Sequence, residues 1–209
     1  MWTIRLVLLG LLATYVSASR YLLKHRRTYE RLLESGPANL VLVVVYNLLC
    51  YGMVGLPSDP SVIPPPASLA HPTVHTGFSA VGQILIVLAA GMLVIAVRQR
   101  KALGGQDVKE GLLTSGLYRY FRHPIYAGIV CMSLGMALAS VNWDGLLVFP
   151  AVFLMNTAQA AIEERYDVGV RFKSQYQAYR KRTRMFGPVW CWVALGGVLL
   201  VLVAIPHLL

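Results

Sequence analysis

Six apolar runs divide the chain, at Ile4–Leu23, Ala38–Leu56, Gly77–Val97, Ile125–Val141, Gly145–Ala161 and Pro188–Leu208. A membrane-crossing helix needs about 20 mostly apolar residues, and these runs reach that length or approach it. Polar residues gather between the runs. The pattern predicts an all-α, polytopic membrane helix bundle of about six transmembrane helices, plus a helical segment outside the membrane over Glu163–Arg182. The runs occupy most of the chain, so no separate soluble domain remains. The stretch Pro57-Ser-Asp-Pro-Ser-Val-Ile-Pro-Pro-Pro66 reads as an extended connector, because its prolines forbid regular helix.

Composition agrees with the pattern. The mean hydropathy is +0.59, and 13% of residues are charged, against roughly 25% in soluble domains. Of the 19 Lys and Arg residues, all but Arg5 fall in three clusters: from Arg20 at the end of the first run onward, between the third and fourth, and between the fifth and sixth. The intervening loops, Pro57–Thr76 and Ser140–Asp144, carry none. Under the positive-inside rule this alternation places the basic loops in the cytoplasm and both termini outside. Topology and contact with anionic membrane lipids account for the net charge of +10, so it does not point to nucleic acid.

The N-terminal segment Met1–Ser19 has the early Arg, apolar core and small-residue end of a secretory signal. The basic cluster that follows at once favours a retained anchor. Cys50, Cys131 and Cys191 all lie in apolar runs and form no disulfide framework. His71 and His75 stand four residues apart, with Pro72 between them and no carboxylate near. No metal is expected, since two ligands rarely suffice.

Polar chemistry crowds two stretches, Gly116–Gly128 and Ile162–Tyr166. Pro124 suits the first turn of a helix, which puts His123 at the cap and Arg119 and Arg122 beside the exposed N–H groups. Such an end attracts a carboxylate or phosphate. Ala127 and Gly128 strip bulk from the first turn, for a ligand or for a neighbouring helix. In the fifth run, Asn156, Gln159, Glu163 and Asp167 share one helical face, a polar stripe rising to the membrane edge. Polar groups at that depth face a protein interior or a wet cavity. Beyond it, Val168, Phe172, Tyr176 and Tyr179 follow helical spacing, a stripe to lie on the membrane edge or roof a pocket.

These residues resemble the isoprenylcysteine carboxyl methyltransferase and phospholipid methyltransferase superfamily of membrane enzymes. Arg-His-Pro-x-Tyr-x-Gly is intact as Arg122, His123, Pro124, Tyr126 and Gly128. Leu113–Tyr120 also matches, except that Leu117 stands where proline is usual. The Glu-Glu pair is Glu163-Glu164, and Phe-x-x-x-Tyr-x-x-Tyr-x-x-Arg is Phe172, Tyr176, Tyr179 and Arg182. The agreement covers roughly Gly111 to Pro188. The chain departs from the family at Thr183-Arg184-Met185, where Val-Pro and a basic residue are common, and in its sixth span.

The resemblance implies S-adenosylmethionine as cofactor, held in a tunnel at the cytoplasmic face. His123, Tyr126 and Gly128, with Tyr118, would line one side of it, and Glu163 and Glu164 the other. Tyr179 and Arg182 would face the reacting end, with Arg119 and Asn156 toward the substrate. Residues 1–110 would then be a scaffold of three spans, 111–187 the cofactor-binding core and 188–209 a C-terminal span. The implied substrate is lipophilic, most like an isoprenylcysteine carboxylate; a phospholipid amine or a small thiol is the alternative. Two other classes stay open: an NADPH-dependent sterol-type reductase, for which no nicotinamide signature is present, and a non-enzymatic membrane subunit, which needs no cavity.

Overall fold

The structure, a computed structural model, describes residues 1–25, 36–67, 71–100 and 111–208. Arg26, Arg27, Arg31, Lys101 and Lys109 of the basic clusters lie outside the described residues.

Every apolar run falls on a helix. The helices are α1 (Trp2–Lys24), α2 (Gly36–Gly55), α3 (Pro72–Arg100), α4 (Pro124–Ala139), α5 (Trp143–Glu163), α6 (Gly169–Arg182) and α7 (Val189–Leu208). A short 3₁₀ turn, Gly116–Arg119, precedes α4, and a π-helical turn, Glu164–Val168, joins α5 to α6. No strand occurs among the described residues; one isolated parallel bridge pairs Phe121 with Arg184. Trp2–Lys24, Pro72–Arg100 and the continuous helical stretch Trp143–Arg182 are long and apolar enough to cross a membrane. Val41–Gly55, Pro124–Ala139 and Val189–Ala204 are shorter apolar helices. Leu6, Val87 and Leu200 stay more than 60% exposed, a burial deficit that lipid, not water, relieves. The chain is an integral membrane helix bundle.

Small residues set the closest packing. A Cβ on Gly82 of α3 would stand 2.2 Å from the backbone N of Ala139 and 2.6 Å from the carbonyl of Gly135. Only hydrogen at that position lets the two helices approach so closely, which is how membrane helices gain dispersion energy where no hydrophobic force joins them.

Arg5, outside all three basic clusters, is buried in α1. Its guanidinium donates to the carbonyls of Met53, Leu56 and Pro57 at the C-terminal end of α2. It also lies 3.9 Å from the carboxylate of Asp144, which is fully buried and accepts from the Asp59 amide at 2.8 Å. Asn142 caps α5 by accepting from the Gly145 amide at 2.9 Å, and its own amide donates to the Val54 carbonyl at 3.0 Å. One end of the bundle is thus closed by a buried polar network around Arg5, Asn142 and Asp144, and the chemistry-bearing motifs gather at the other.

Candidate functional site

The site begins where α4 starts. Pro124 occupies its first turn and His123 its cap, as the sequence predicts. His123 makes no side-chain cap bond; its ring turns to the far end of α5. At about 1.5 Å per residue, the 21 residues of α5 traverse about 32 Å, the thickness of the hydrocarbon core. Glu164 therefore stands at the membrane edge, in a π turn of a kind common at functional sites.

There the two polar stretches meet. Nε of Arg122 donates to Oε1 of Glu164 at 2.9 Å, and Nε2 of His123 lies 3.2 Å from the same oxygen. Nδ1 of His123 is 3.8 Å from Oε2 of Glu163, and the hydroxyl of Tyr126 donates to Glu163. Arg180 approaches the second Glu164 oxygen at 3.6 Å. Burial pushes the Glu164 carboxyl up, but the hydrogen bonds and charges of His123 and Arg122 more than offset it and hold it at about 2. The anion that the basic helix start should attract is thus the protein's own Glu164.

Beside this junction opens a cleft. Tyr118, Arg122 and His123 line one wall. Val168, Phe172, Tyr176 and Tyr179, the predicted stripe, line the other, with Arg171 among them. Arg100 and Gly111–Leu113 complete it. The hydroxyl of Tyr179 ties the walls together, donating to the carbonyl of Tyr118 at 2.5 Å. Burial raises that hydroxyl to about 12, so it stays a donor. Asp167 holds Arg171 at 2.7 Å; burial raises the Asp167 carboxyl while Arg171 pulls it down. Within α6, Lys173 has a φ of +40°, a sterically costly value for a non-glycine residue. The helix kinks there, in the middle of the aromatic wall.

The expected site residues divide. Tyr118, His123 and Tyr179 line the cleft. Tyr126, Glu163 and Glu164 stand behind the wall in the junction. Gly128 faces α3, where a Cβ would meet Leu93 at 2.7 Å. Asn156 is fully buried, donating to the Val152 carbonyl at 2.8 Å and lying 3.7 Å from the sulfur of Cys50. Arg119 and Arg182 are exposed and do not line the cleft. Arg100 and Arg171 line the cleft without having been singled out as site residues. Arg171 sits one residue before Phe172 of the aromatic stripe, and Arg100 ends α3; neither position distinguishes a lining arginine from a topological one.

Residues 78–168 match the family model described as phospholipid methyltransferase. Protein-S-isoprenylcysteine O-methyltransferase of Schizosaccharomyces pombe is 36% identical over 72 residues, covering 34% of this chain and 30% of that relative. The similarity thus spans less than a third of the relative's length. No solved structure matches. The superfamily resemblance carried by the Arg-His-Pro and Glu-Glu motifs is borne out; the family match stops short of Phe172, Tyr179 and Arg182.

Proposed function

We propose that the chain is an integral membrane S-adenosylmethionine-dependent methyltransferase. Its cofactor site is the cleft between the Arg122-His123 turn and α6, and its active site opens at the cytoplasmic face. The observation that carries this reading is the cleft itself, since residues of two separate motifs line it together.

The lining fits the cofactor's chemistry. Arg100 and Arg171 suit a carboxylate. Tyr118, Phe172, Tyr176 and Tyr179 offer aromatic faces to an adenine ring and a cationic sulfonium. Glu163 and Glu164 act one layer behind, holding His123 and Arg122 in place. When bound, the cofactor supplies an activated methyl group for in-line displacement; the chain's contribution is orientation and exclusion of water.

The acceptor is lipophilic, most like an isoprenylcysteine carboxylate. Such a group is already nucleophilic and needs no base, and among the described residues no carboxylate lines the cleft to repel it. A phospholipid amine is the second reading, favoured by the description of the matching family.

Titration calorimetry in detergent with S-adenosylhomocysteine tests the cofactor. Micromolar binding is expected, and binding of NADPH in its place would overturn the reading. Labelled methyl transfer to a prenylcysteine or to a lipid extract then separates the two acceptors.

A further inference from the structure

Thr183–Gly187, between α6 and α7, forms a strap across the Arg122-His123 turn. Its carbonyls are taken in succession. Thr183 accepts from the guanidinium of Arg122. Arg184 accepts from the Arg122 amide at 2.9 Å, and Met185 from the His123 amide at 3.1 Å. Phe186 accepts from the indole N–H of Trp192, on α7, at 3.0 Å. The first three bonds hold residues that line the cleft. The fourth comes from the last span, whose Trp192 packs in one cluster with Phe186, Phe121 and Tyr126.

Packing fixes the strap at the same place. Phe186 is buried, with its ring 5.6 Å from Phe153 and edge-on to it. The Trp192 ring stands 6.2 Å from Phe153 in the same geometry. Gly187 has a φ of +87°, and a Cβ there would come within 2.3 Å of the Phe121 ring. At a membrane edge a freed carbonyl has little water to turn to, so each partner matters. A shift of Phe186 must move Met185 and Arg184, and with them the backbone of His123 and Arg122.

We propose that Trp192 is a positioning residue for the cleft: its N–H sets the strap, and the strap sets Arg122 and His123. The inference rests on reading the cleft as the cofactor site. It gives the C-terminal span a task in that site beyond anchorage.

The test uses the full chain in detergent. Trp192→Phe keeps a ring against Phe153 and removes the donor. Trp190→Phe, at a position 71% exposed, is the control for a general anchoring role. Two readouts are taken: hydrogen–deuterium exchange of the peptide containing Phe121–His123, and the dissociation constant for S-adenosylhomocysteine. Trp192→Phe should speed exchange and weaken binding about threefold to tenfold, the range set by one neutral hydrogen bond, and turnover at saturating cofactor should hold. Wild-type exchange and affinity in Trp192→Phe, or equal changes in Trp190→Phe, overturn the proposal. If Trp192→Phe does not fold, Gly187→Ala, which drives the strap against Phe121, must speed the same exchange; unchanged exchange overturns the proposal. If the wild type binds no S-adenosylhomocysteine, the cofactor reading fails, and the exchange comparison alone decides the role of Trp192.

Discussion

Arg122 and Glu164, 42 positions apart in sequence, meet at 2.9 Å between Nε and Oε1. The contact closes the start of α4 on the end of α5 and holds Arg122, which lines the cleft, from behind. Both side chains are about nine-tenths buried, so neither charge is well served by water, and each depends on the other.

Removing the carboxylate therefore strands two partners. Glu164→Ala should lower stability by about 3 kcal/mol and weaken S-adenosylhomocysteine binding by misplacing Arg122 and His123. Glu164→Asp should recover part of both. Thermal unfolding in detergent and calorimetry read the two effects; wild-type behaviour of Glu164→Ala would dismiss the junction as incidental.

The same carboxyl gives a pH dependence. Its folded value, about 2, lies below its ordinary 4.5. A lowered acid contributes stability that is complete above 4.5 and is lost as pH falls from there toward 2. Wild-type stability should drop more steeply across that window than that of Glu164→Gln. Parallel acid profiles for the two proteins contradict the assignment.

At the opposite end, Arg5→Ala should cost about 3–5 kcal/mol, because it leaves Asp144 buried without a cation and the end of α2 without its donors. The double change Arg5→Met with Asp144→Leu should cost less than Arg5→Ala alone, since it removes both charges together. A double-mutant cycle by thermal unfolding checks the coupling; simple additivity refutes it.

In the cleft, Arg171→Ala should weaken S-adenosylhomocysteine binding about tenfold, equivalent to about 1.4 kcal/mol. Arg171→Lys should recover charge but not the paired geometry. Arg182→Ala, outside the cleft, should leave that affinity unchanged. A loss at Arg182 equal to that at Arg171 would move the site toward the C-terminal end of α6.

Much was legible in the sequence because local rules govern it. Hydropathy fixes which segments sit in lipid, since a backbone there must satisfy itself as helix. Pro124 marks the start of α4 through its missing N–H. The spacing of Val168, Phe172, Tyr176 and Tyr179 places them on one wall even across the kink at Lys173.

Other features belong to the tertiary structure alone. Gly128 and Asn156 carry the right types for a site, yet one packs on Leu93 and the other is sealed beside Cys50, because facing is decided by which helices become neighbours. Glu163 and Glu164 were readable as anions beside a basic turn. That Glu164 takes Arg122 and His123, that Glu163 takes Tyr126, and that neither lines the cleft, depends on distances no spacing rule contains. The sequence alone determined the spans, the helix starts and the edge where polar groups collect, since hydropathy, proline and helical period act within a few residues. Only the folded chain decided which arginines enter the cleft and that Trp192 reaches the strap, since long-range contacts follow from helix packing.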